Sequence, residues 1–196
     1  MKNWTPVIIV VAIVAVIALA FGGTYNKLVA ADENVKSSWS QVENVYQRRM
    51  DLIPNLVETV KGYAKHEENT LLEVTNARAK ATQTTASPAL ANDPAALAKF
   101  EQAQGELGGA LSRLLVVVEK YPDLKANQNF LELQNQLEGT ENRITVERRR
   151  FNEAAQGFNT LRRTFPNSLV AGVAGFKEKA YFQADSGAEK VPAVKF

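Results

Sequence analysis

The only histidine of the chain stands in the run His66-Glu67-Glu68-Asn69-Thr70, which is close to a zinc-protease motif. That motif needs a second histidine four residues after the first, on the same helical face, to complete the metal site. Position 70 is threonine, and the chain has no cysteine that could supply a thiolate ligand. The sequence therefore predicts no metal centre, and His66 is expected on an exposed helical turn.

Other catalytic patterns are equally scarce. The chain has no G-x-S-x-G motif, no P-loop and no G-x-G-x-x-G motif. Glu138 and Glu141 are three residues apart on one helical face, a pair that a hydrolase of envelope polymers could use, although this spacing is also ordinary for solvated charge. We predict that the chain is not an enzyme and binds no cofactor, with such a hydrolase as an alternative.

Arginines occur in three clusters, which end at Arg49, Arg150 and Arg163. Consecutive helical positions point around the helix, so at least one arginine of each cluster is expected near an apolar face. These side chains either pair with neighbouring carboxylates in solvent, as Arg48 and Asp51 could, or contact lipid phosphates or another subunit. Together with two polar residues that interrupt an apolar row, the predicted polar or assembly contacts are Arg48, Arg49, Asp51, Thr140, Glu147 and Arg148.

The charge balance is 23 Lys+Arg against 21 Asp+Glu, a net charge of +2. Such a balance gives no electrostatic reason to expect a nucleic-acid partner. The absence of cysteine excludes disulfides, thiol catalysis and a lipid anchor attached through cysteine.

An uncharged segment from Asn3 to Asn26 includes an unbroken apolar run from Val7 to Phe21. A helix of 20 residues is about 30 Å long, which matches the core of a bilayer. A cleaved signal peptide is the competing interpretation, with a cleavage site near Ala20. We favour a retained anchor over residues 1–24, with its lipid-facing side chains represented by Val7, Ile8, Val11, Val14, Ile17 and Phe21.

The orientation of this anchor depends on few charges. Lys2 and the α-amine precede the apolar run, whereas Lys27 follows it together with Asp32 and Glu33. The positive-inside rule therefore predicts a cytoplasmic N-terminus and an extracytoplasmic domain, with a cytoplasmic domain as the alternative.

Everything after the anchor has helical periodicity. The pattern is continuous from Tyr25 to Ala81, with a kink or break predicted at Pro54, and residues 82–94 are predicted to form a mobile loop. Asp93 followed by Pro94 is a pattern typical of a helix start, with Asp93 as the capping residue and Pro94 at the first helical position. Two further helices with seven-residue repeats follow, interrupted at Pro122, and the predicted core residues are Trp39, Tyr46, Leu107, Leu111, Leu114, Phe130, Leu137, Ile144, Phe151, Phe158 and Phe165.

The last predicted helix covers about Ser168 to Gln183, with Leu169, Val173, Phe176 and Ala180 on one side. Residues 184–196 are predicted to be a flexible tail. Near-heptad apolar stripes and the lack of any strand pattern predict an all-α protein. We expect a transmembrane helix followed by an antiparallel four-helix-type bundle of long helices over residues 25–183, with coiled-coil-like packing.

Several long strings resemble the LemA family. They are R-R-M-D-L-I-P-N-L-V-E-T-V-K-G-Y-A-K-H-E from Arg48, Y-P-D-L-K-A-N-Q-N-F from Tyr121, Q-L-E-G-T-E-N-R-I from Gln136, R-R-R-F-N from Arg148 and F-P-N from Phe165. The resemblance implies a bacterial membrane protein with a four-helix-bundle domain, which in this family is often described as cytoplasmic. It implies no activity and no catalytic residues.

These observations favour a non-enzymatic, membrane-anchored bundle at the bacterial cell membrane that self-associates or scaffolds another protein. The expected partners are the lipid bilayer, a second copy of the chain and an unidentified protein. An alternative is a membrane-surface module, in which the terminal helix from Ser168 lies on lipid with Lys177 and Lys179 beside its apolar face.

Overall fold

The computed structural model describes residues 4–64, 66–84 and 86–183, except for the side chains of Thr5 and Ile17. Within these ranges the chain forms helices and no strand, so the prediction of an all-α bundle behind one long apolar N-terminal helix is confirmed. The helices are α1 (Thr5–Tyr63), α2 (Glu68–Gln83), α3 (Pro94–Val118), α4 (Pro122–Lys125), α5 (Gln128–Arg163) and α6 (Asn167–Ala174), with a 3-10 turn over Pro88–Asn92.

Helix α1 runs through Pro54 without the predicted break. A proline has no N–H to donate to the carbonyl four residues earlier, which here is that of Met50. Arg78 Nε on α2 donates to Met50 O at 3.0 Å, so the acceptor that Pro54 leaves open is satisfied. The helix ends at Tyr63 instead, and the continuous helical pattern seen as far as Ala81 is divided between α1 and α2.

The segment between α2 and α3 is better ordered locally than an irregular loop, because it contains the 3-10 turn over Pro88–Asn92. Ala91 of this turn is buried, and its carbonyl accepts a hydrogen bond of 2.8 Å from Ala180 N. The predicted start of the next helix is confirmed, since Asp93 Oδ1 accepts hydrogen bonds from the backbone N–H groups at the first turn of α3.

Helices α1 and α5 form the longest contact of the bundle and run antiparallel. Trp39 on α1 meets Phe151 of α5, with ring centroids 5.2 Å apart, and further along α1 the side chain of Arg49 meets that of Glu141, which precedes Phe151 in α5. One core cluster surrounds Trp39 and is mainly aromatic. A second, mainly aliphatic cluster around Leu56 fills the end of the bundle far from the anchor.

The C-terminal part differs from the prediction of one helix over residues 168–183. Helix α6 stops at Ala174, and Gly175 has a φ of +74°, a conformation that favours glycine and ends helices. Residues 176–183 then run over α5 as a non-helical strap. The amide of Asn159 bonds both N and O of Lys179, and the amide of Asn152 bonds both N and O of Phe182.

The core prediction for Phe165 is wrong, because its side chain is 82% exposed. The seven-residue row that includes Phe158 continues in the sequence to position 165, but helix α5 ends at Arg163. A residue beyond the helix end no longer follows the helical face, so Phe165 leaves the core. The predicted flexible tail, residues 184–196, lies outside the described residues.

Candidate functional site

One side of the bundle is open. Helix α1 packs along α5, α2 packs along α3, and α1 also packs against α2. Between α3 and α5, by contrast, the described side chains leave two cavities that are lined by residues of both helices. We call this opening the α3–α5 groove, and the residues that define it are Arg49, Gln104, Gly108, Leu111, Leu137 and Glu141.

Arg49 lies at the centre of the α3–α5 groove. It is carried by α1, is only 5% exposed, and places its Nε 2.8 Å from Glu141 Oε1 on α5. This contact is an ion pair without the angle of a hydrogen bond, so Nε stays buried with no hydrogen-bond partner in the described structure. A buried, partly satisfied guanidinium is a costly feature that natural cores rarely keep without a reason.

Gly108 on α3 makes room for this guanidinium. A Cβ at position 108 would lie 3.2 Å from Arg49 Nη2, closer than ordinary van der Waals contact. The glycines at 105, 108 and 109 suggest close helix approach in the sequence, but the group that approaches Gly108 is a side chain.

Arg49 separates two cavities of different character. The cavity on the side far from the anchor has about 440 Å³ and is bordered by the apolar side chains of Leu56, Leu111 and Leu137. The cavity on the anchor side has about 710 Å³ and is bordered by polar groups, among them Gln104 and Arg148. The groove therefore offers an apolar half and a polar half on either side of one cation.

Arg148 closes the anchor-side end of the groove. Its Nη2 donates to Glu101 Oε1 on α3 and to the carbonyl of Gln183, each at 2.7 Å. Gln183 N also donates to Glu101 Oε1 at 3.1 Å, and the guanidinium lies 4.9 Å from the centre of the Phe182 ring. Arg148 thus ties α5, α3 and the C-terminal strap together at one point.

Two further groups show that the floor of the groove is shielded from solvent. Burial raises the pKa of Tyr46 to about 12, although the nearby guanidinium groups of Arg148 and Arg49 act in the opposite direction. Gln104 Oε1 is buried and has no hydrogen-bond partner in the described structure. A ligand with polar groups that bound here could donate a hydrogen bond to Gln104 Oε1 and accept one from the guanidinium of Arg49.

The two carboxylates that the sequence offers to a hydrolase both lie on the α5 side of the groove. Of the two candidate carboxylates, Glu141 is paired with Arg49, and Glu138 lines the cavity one helical turn away. Residues 4–64, 66–84 and 86–183 hold no group of three or more His, Cys, Asp or Glu side chains that could bind a metal. His66 lies in the turn between α1 and α2 and is exposed, as expected for a surface histidine.

The predicted polar contacts fall into three sets. Arg49 and Arg148 line the groove, as described. Arg48 and Asp51 are exposed, and Asp51 accepts from Gln47 Nε2 at 2.8 Å rather than pairing with Arg48. The other two bond within α5: Thr140 is buried and donates to Gln136 O, and Glu147 pairs with Arg150.

The predicted core residues other than Phe165 are all buried: Trp39, Tyr46, Leu107, Leu111, Leu114, Phe130, Leu137, Ile144, Phe151 and Phe158. Among the predicted anchor residues, Val7, Ile8, Val11, Val14 and Phe21 are exposed on α1, and the side chain of Ile17 lies outside the described residues. The N-terminal part of α1 is long and apolar enough to cross a membrane, by length and composition.

A model of the LemA family matches residues 38–196, which is most of the chain and includes every residue of the groove. The chain belongs to the LemA family. This finding supports the resemblance noted from the sequence strings, and together with the apolar helix it describes a membrane-associated helical protein.

This LemA-family chain is also similar to magnetosome proteins. It is 28% identical to magnetosome protein MamQ 2 of Paramagnetospirillum magneticum over 193 residues, which cover 90% of this chain and 71% of the relative. Magnetosome protein MamQ of Magnetospirillum gryphiswaldense is 26% identical, with 90% and 72% covered. Protein LemA of Metamycoplasma hominis is 24% identical, with 87% and 74% covered.

Sequence reasoning missed part of the site in this LemA-family chain. Gln104 within an apolar heptad and Gly108 on the same helix were visible signals of an unusual seam. Neither signal shows that α3 and α5 stand apart, because that depends on how α2 holds α3 against the rest of the bundle. The strap residue Lys179 was predicted near a lipid surface, but it is buried and its Nζ lies 2.5 Å from Asp32 Oδ1.

Proposed function

We propose that this chain is a non-enzymatic, membrane-tethered helical bundle that self-associates by seating a helix of a second copy in its α3–α5 groove. The observation that carries the proposal is the open seam between two helices, with buried Arg49 Nε and Gln104 Oε1 that have no hydrogen-bond partner in the described structure. An incoming helix would bury its apolar side chains against Leu111 and Leu137 and offer polar groups to Arg49. This is the helix-in-groove mode of recognition.

A second copy is the occupant that the chain favours. Its net charge of +2 is small, and carboxylates and guanidinium groups both border the groove, so two copies do not repel each other strongly. Tethers in one membrane also keep copies in the same orientation and raise their effective concentration. Scaffolding of a different protein by the same groove is the alternative.

A purely binding role agrees with the chemistry of the groove. Arg148 is engaged by Glu101 and by the strap, and Glu141 is engaged by Arg49. Hydrolysis would need an acid and a base that are both available to a substrate, and Glu141 is not available while it is paired with Arg49. The polar groups that remain for a ligand are suited to hydrogen bonding.

We further propose that α1 crosses the bacterial cell membrane once and that the bundle lies outside the cytoplasm. The charge asymmetry around the apolar run, with Lys2 and the α-amine on the short side, supports this orientation. The chain has no cysteine, so a Leu72→Cys variant, exposed on α2, gives a single reporter. Labelling by a membrane-impermeant maleimide in spheroplasts is expected; labelling only after lysis would place the bundle in the cytoplasm.

Single cysteines also test the occupancy of the groove. Ser112→Cys lies in the groove lining, and Val116→Cys on the same helix is the matched control, with a side chain that is 68% exposed. In vesicles holding only the purified full-length protein, we expect a maleimide to react several-fold more slowly at position 112 than at 116. The difference should disappear when the protein is diluted in detergent.

The outcomes separate the two occupants. Protection of position 112 in purified vesicles supports self-association. Protection that occurs only in native membranes overturns self-association in favour of another protein in the groove. Equal reactivity at positions 112 and 116 in both membranes means that the groove is empty, and the proposed function is then wrong.

A further inference from the structure

Three large apolar side chains near the C-terminal end of the bundle are exposed together. Phe165, Leu169 and Val173 are 82%, 64% and 81% exposed, and they follow one another at intervals of four residues. Such spacing places Leu169 and Val173 on one face of α6, with Phe165 just before the start of that helix. We call these three residues the α6 patch. An exposed apolar group of this kind generally marks a binding surface.

The opposite face of α6 fixes where this patch lies. Val170 and Ala171 are buried against Leu28 of α1 in a small core cluster of their own. Phe176, just after α6, meets Tyr25 of α1 with ring centroids 5.9 Å apart. Helix α6 is therefore held alongside the part of α1 that follows the apolar run.

Burial along α1 shows how close the bundle comes to the anchor. Thr24 is the first buried residue that the structure describes on this helix, whereas the side chains described before Gly22 are exposed. Packing of the bundle therefore begins within the last turn of the segment Pro6–Tyr25, the one that matches a bilayer core in length.

The helical rise converts this sequence distance into a height. Leu28 follows Tyr25 by three residues, which is about 4.5 Å along a helix that rises about 1.5 Å per residue. The polar headgroup layer on each side of a bilayer is about 5–7.5 Å thick, from a total of about 40–45 Å and a core of about 30 Å. Helix α6, packed beside Leu28, is consequently at the level of the headgroups.

We infer that the α6 patch inserts into the interface of the same bilayer that α1 crosses, so that the chain contacts lipid at two places. Apolar side chains on a short helix at headgroup level bury their surface by reaching toward the acyl chains. The inference rests on the membrane span in the proposed function. The occupant of the patch is lipid, because the patch is continuous with that span along α1.

A second lipid contact would have a structural consequence for the bundle. A single helix through a bilayer leaves a domain able to tilt and to rotate about the helix axis. Insertion of α6 beside the anchor would fix the tilt and would hold the α3–α5 groove at a constant height above the membrane. Copies in one membrane would then present their grooves in register.

Site-directed labels can test this contact in the full-length protein. Val173→Cys and Leu169→Cys report on the patch, Val11→Cys reports on the span, and Val116→Cys is an exposed control on α3. Each variant is labelled with a fluorophore and reconstituted in vesicles of phosphatidylcholine and phosphatidylglycerol. Quenching is then measured with nitroxide-bearing lipids and, separately, with aqueous iodide.

The inference predicts that lipid nitroxides quench labels at positions 169 and 173 several-fold more than a label at 116. Quenching of the patch by iodide alone would overturn the inference, and so would protection from both quenchers, which would indicate a second copy over the patch. If Val11 is also not quenched by lipid, the membrane span of the proposed function fails as well. If Val11 is quenched but the patch is not, only this inference fails.

Discussion

Two seams of the bundle run along the same helix, α5, and differ in how they are filled. The seam with α1 is closed by aromatic rings, where Trp39 stacks on Phe182 at 5.7 Å and meets Phe151 edge-on. The seam with α3 is crossed directly by the Arg148–Glu101 pair, and Arg49 of α1 reaches into it to pair with Glu141 on α5. The first arrangement is that of a core, whereas the second leaves an opening in which we propose that another chain binds. The contrast indicates which residues serve stability and which are available for binding.

The largest expected effect comes from breaking the closed seam. Phe151→Ala removes a fully buried ring from the cluster around Trp39, and we expect it to lower the free energy of unfolding by about 3–5 kcal/mol. Phe165→Ala is the matched control, because its ring is exposed and its loss should change stability by at most about 0.5 kcal/mol. Chemical denaturation of the full-length protein in mild detergent, followed by circular dichroism, measures both. Equal losses in the two variants would contradict the assignment of the core.

A smaller effect is expected where the strap is held against the closed seam. Lys179 is buried, its Nζ pairs with Asp32 and donates to Asn92 Oδ1 at 2.8 Å, and it lies 4.9 Å from the centre of the Phe158 ring. Asp32→Asn should lower stability by about 1.5–3 kcal/mol, the usual range for hydrogen bonds to charged groups. Asp51→Asn, at an exposed carboxylate on the same helix, is the control and should leave the unfolding midpoint unchanged.

The same pair predicts a dependence on pH. Burial alone would raise the pKa of Asp32, but the hydrogen bonds from Lys179 and Lys36 hold it below the ordinary value of 3.8. Because the pKa of Asp32 is lower in the folded state, its contribution is fully present above pH 3.8 and is lost as the pH falls through the folded value. The difference in unfolding free energy between the wild type and Asp32→Asn should therefore begin to narrow below pH 3.8 and disappear below the folded pKa of Asp32. A stability difference that persists unchanged under acid conditions would contradict this role of the carboxylate.

The smallest expected effect is a difference in stability between a glycine substitution in the open seam and one on the outer surface of the bundle. In an exposed helix, Gly→Ala usually stabilises by about 0.5–1 kcal/mol, and this is expected for Gly139→Ala on α5, where a Cβ meets nothing within 4 Å. Gly108→Ala should gain less or nothing, because its Cβ would lie 3.2 Å from Arg49 Nη2 and displace the guanidinium. Thermal unfolding of the two variants in the same detergent measures the difference. An equal gain in stability at both positions would mean that the guanidinium of Arg49 does not lie against Gly108.

The seven-residue rows predicted the helices and most of the core correctly, because burial on one helical face leaves a direct trace in the sequence. They failed at Phe165, where the row outlasts helix α5. Of the kink or break predicted from Pro54 itself, the break is absent, because α1 continues through this residue. At Pro54 the carbonyl of Met50 is satisfied by Arg78 from α2. That contact joins two helices, so no local pattern could have shown it.

The groove illustrates a different limit. Periodicity predicted that α3 and α5 each have an apolar face, and the arginine clusters drew attention to Arg49 and Arg148. The distance between α3 and α5 depends on the contacts that α2 and the strap make elsewhere. Gly175 and the side chains of Asn152 and Asn159 determine the path of that strap, and their roles became visible only in three dimensions.

The most direct test of self-association through the groove is the mass of the full-length protein in mild detergent, by light scattering coupled to chromatography. Wild type and Gly139→Leu, whose new side chain points to open space, should form the same defined oligomer. Gly108→Leu fills the groove and should shift the protein to the monomer while keeping its helical content. A monomeric wild type, or a Gly108→Leu variant that keeps the oligomer of the wild type, would contradict the account.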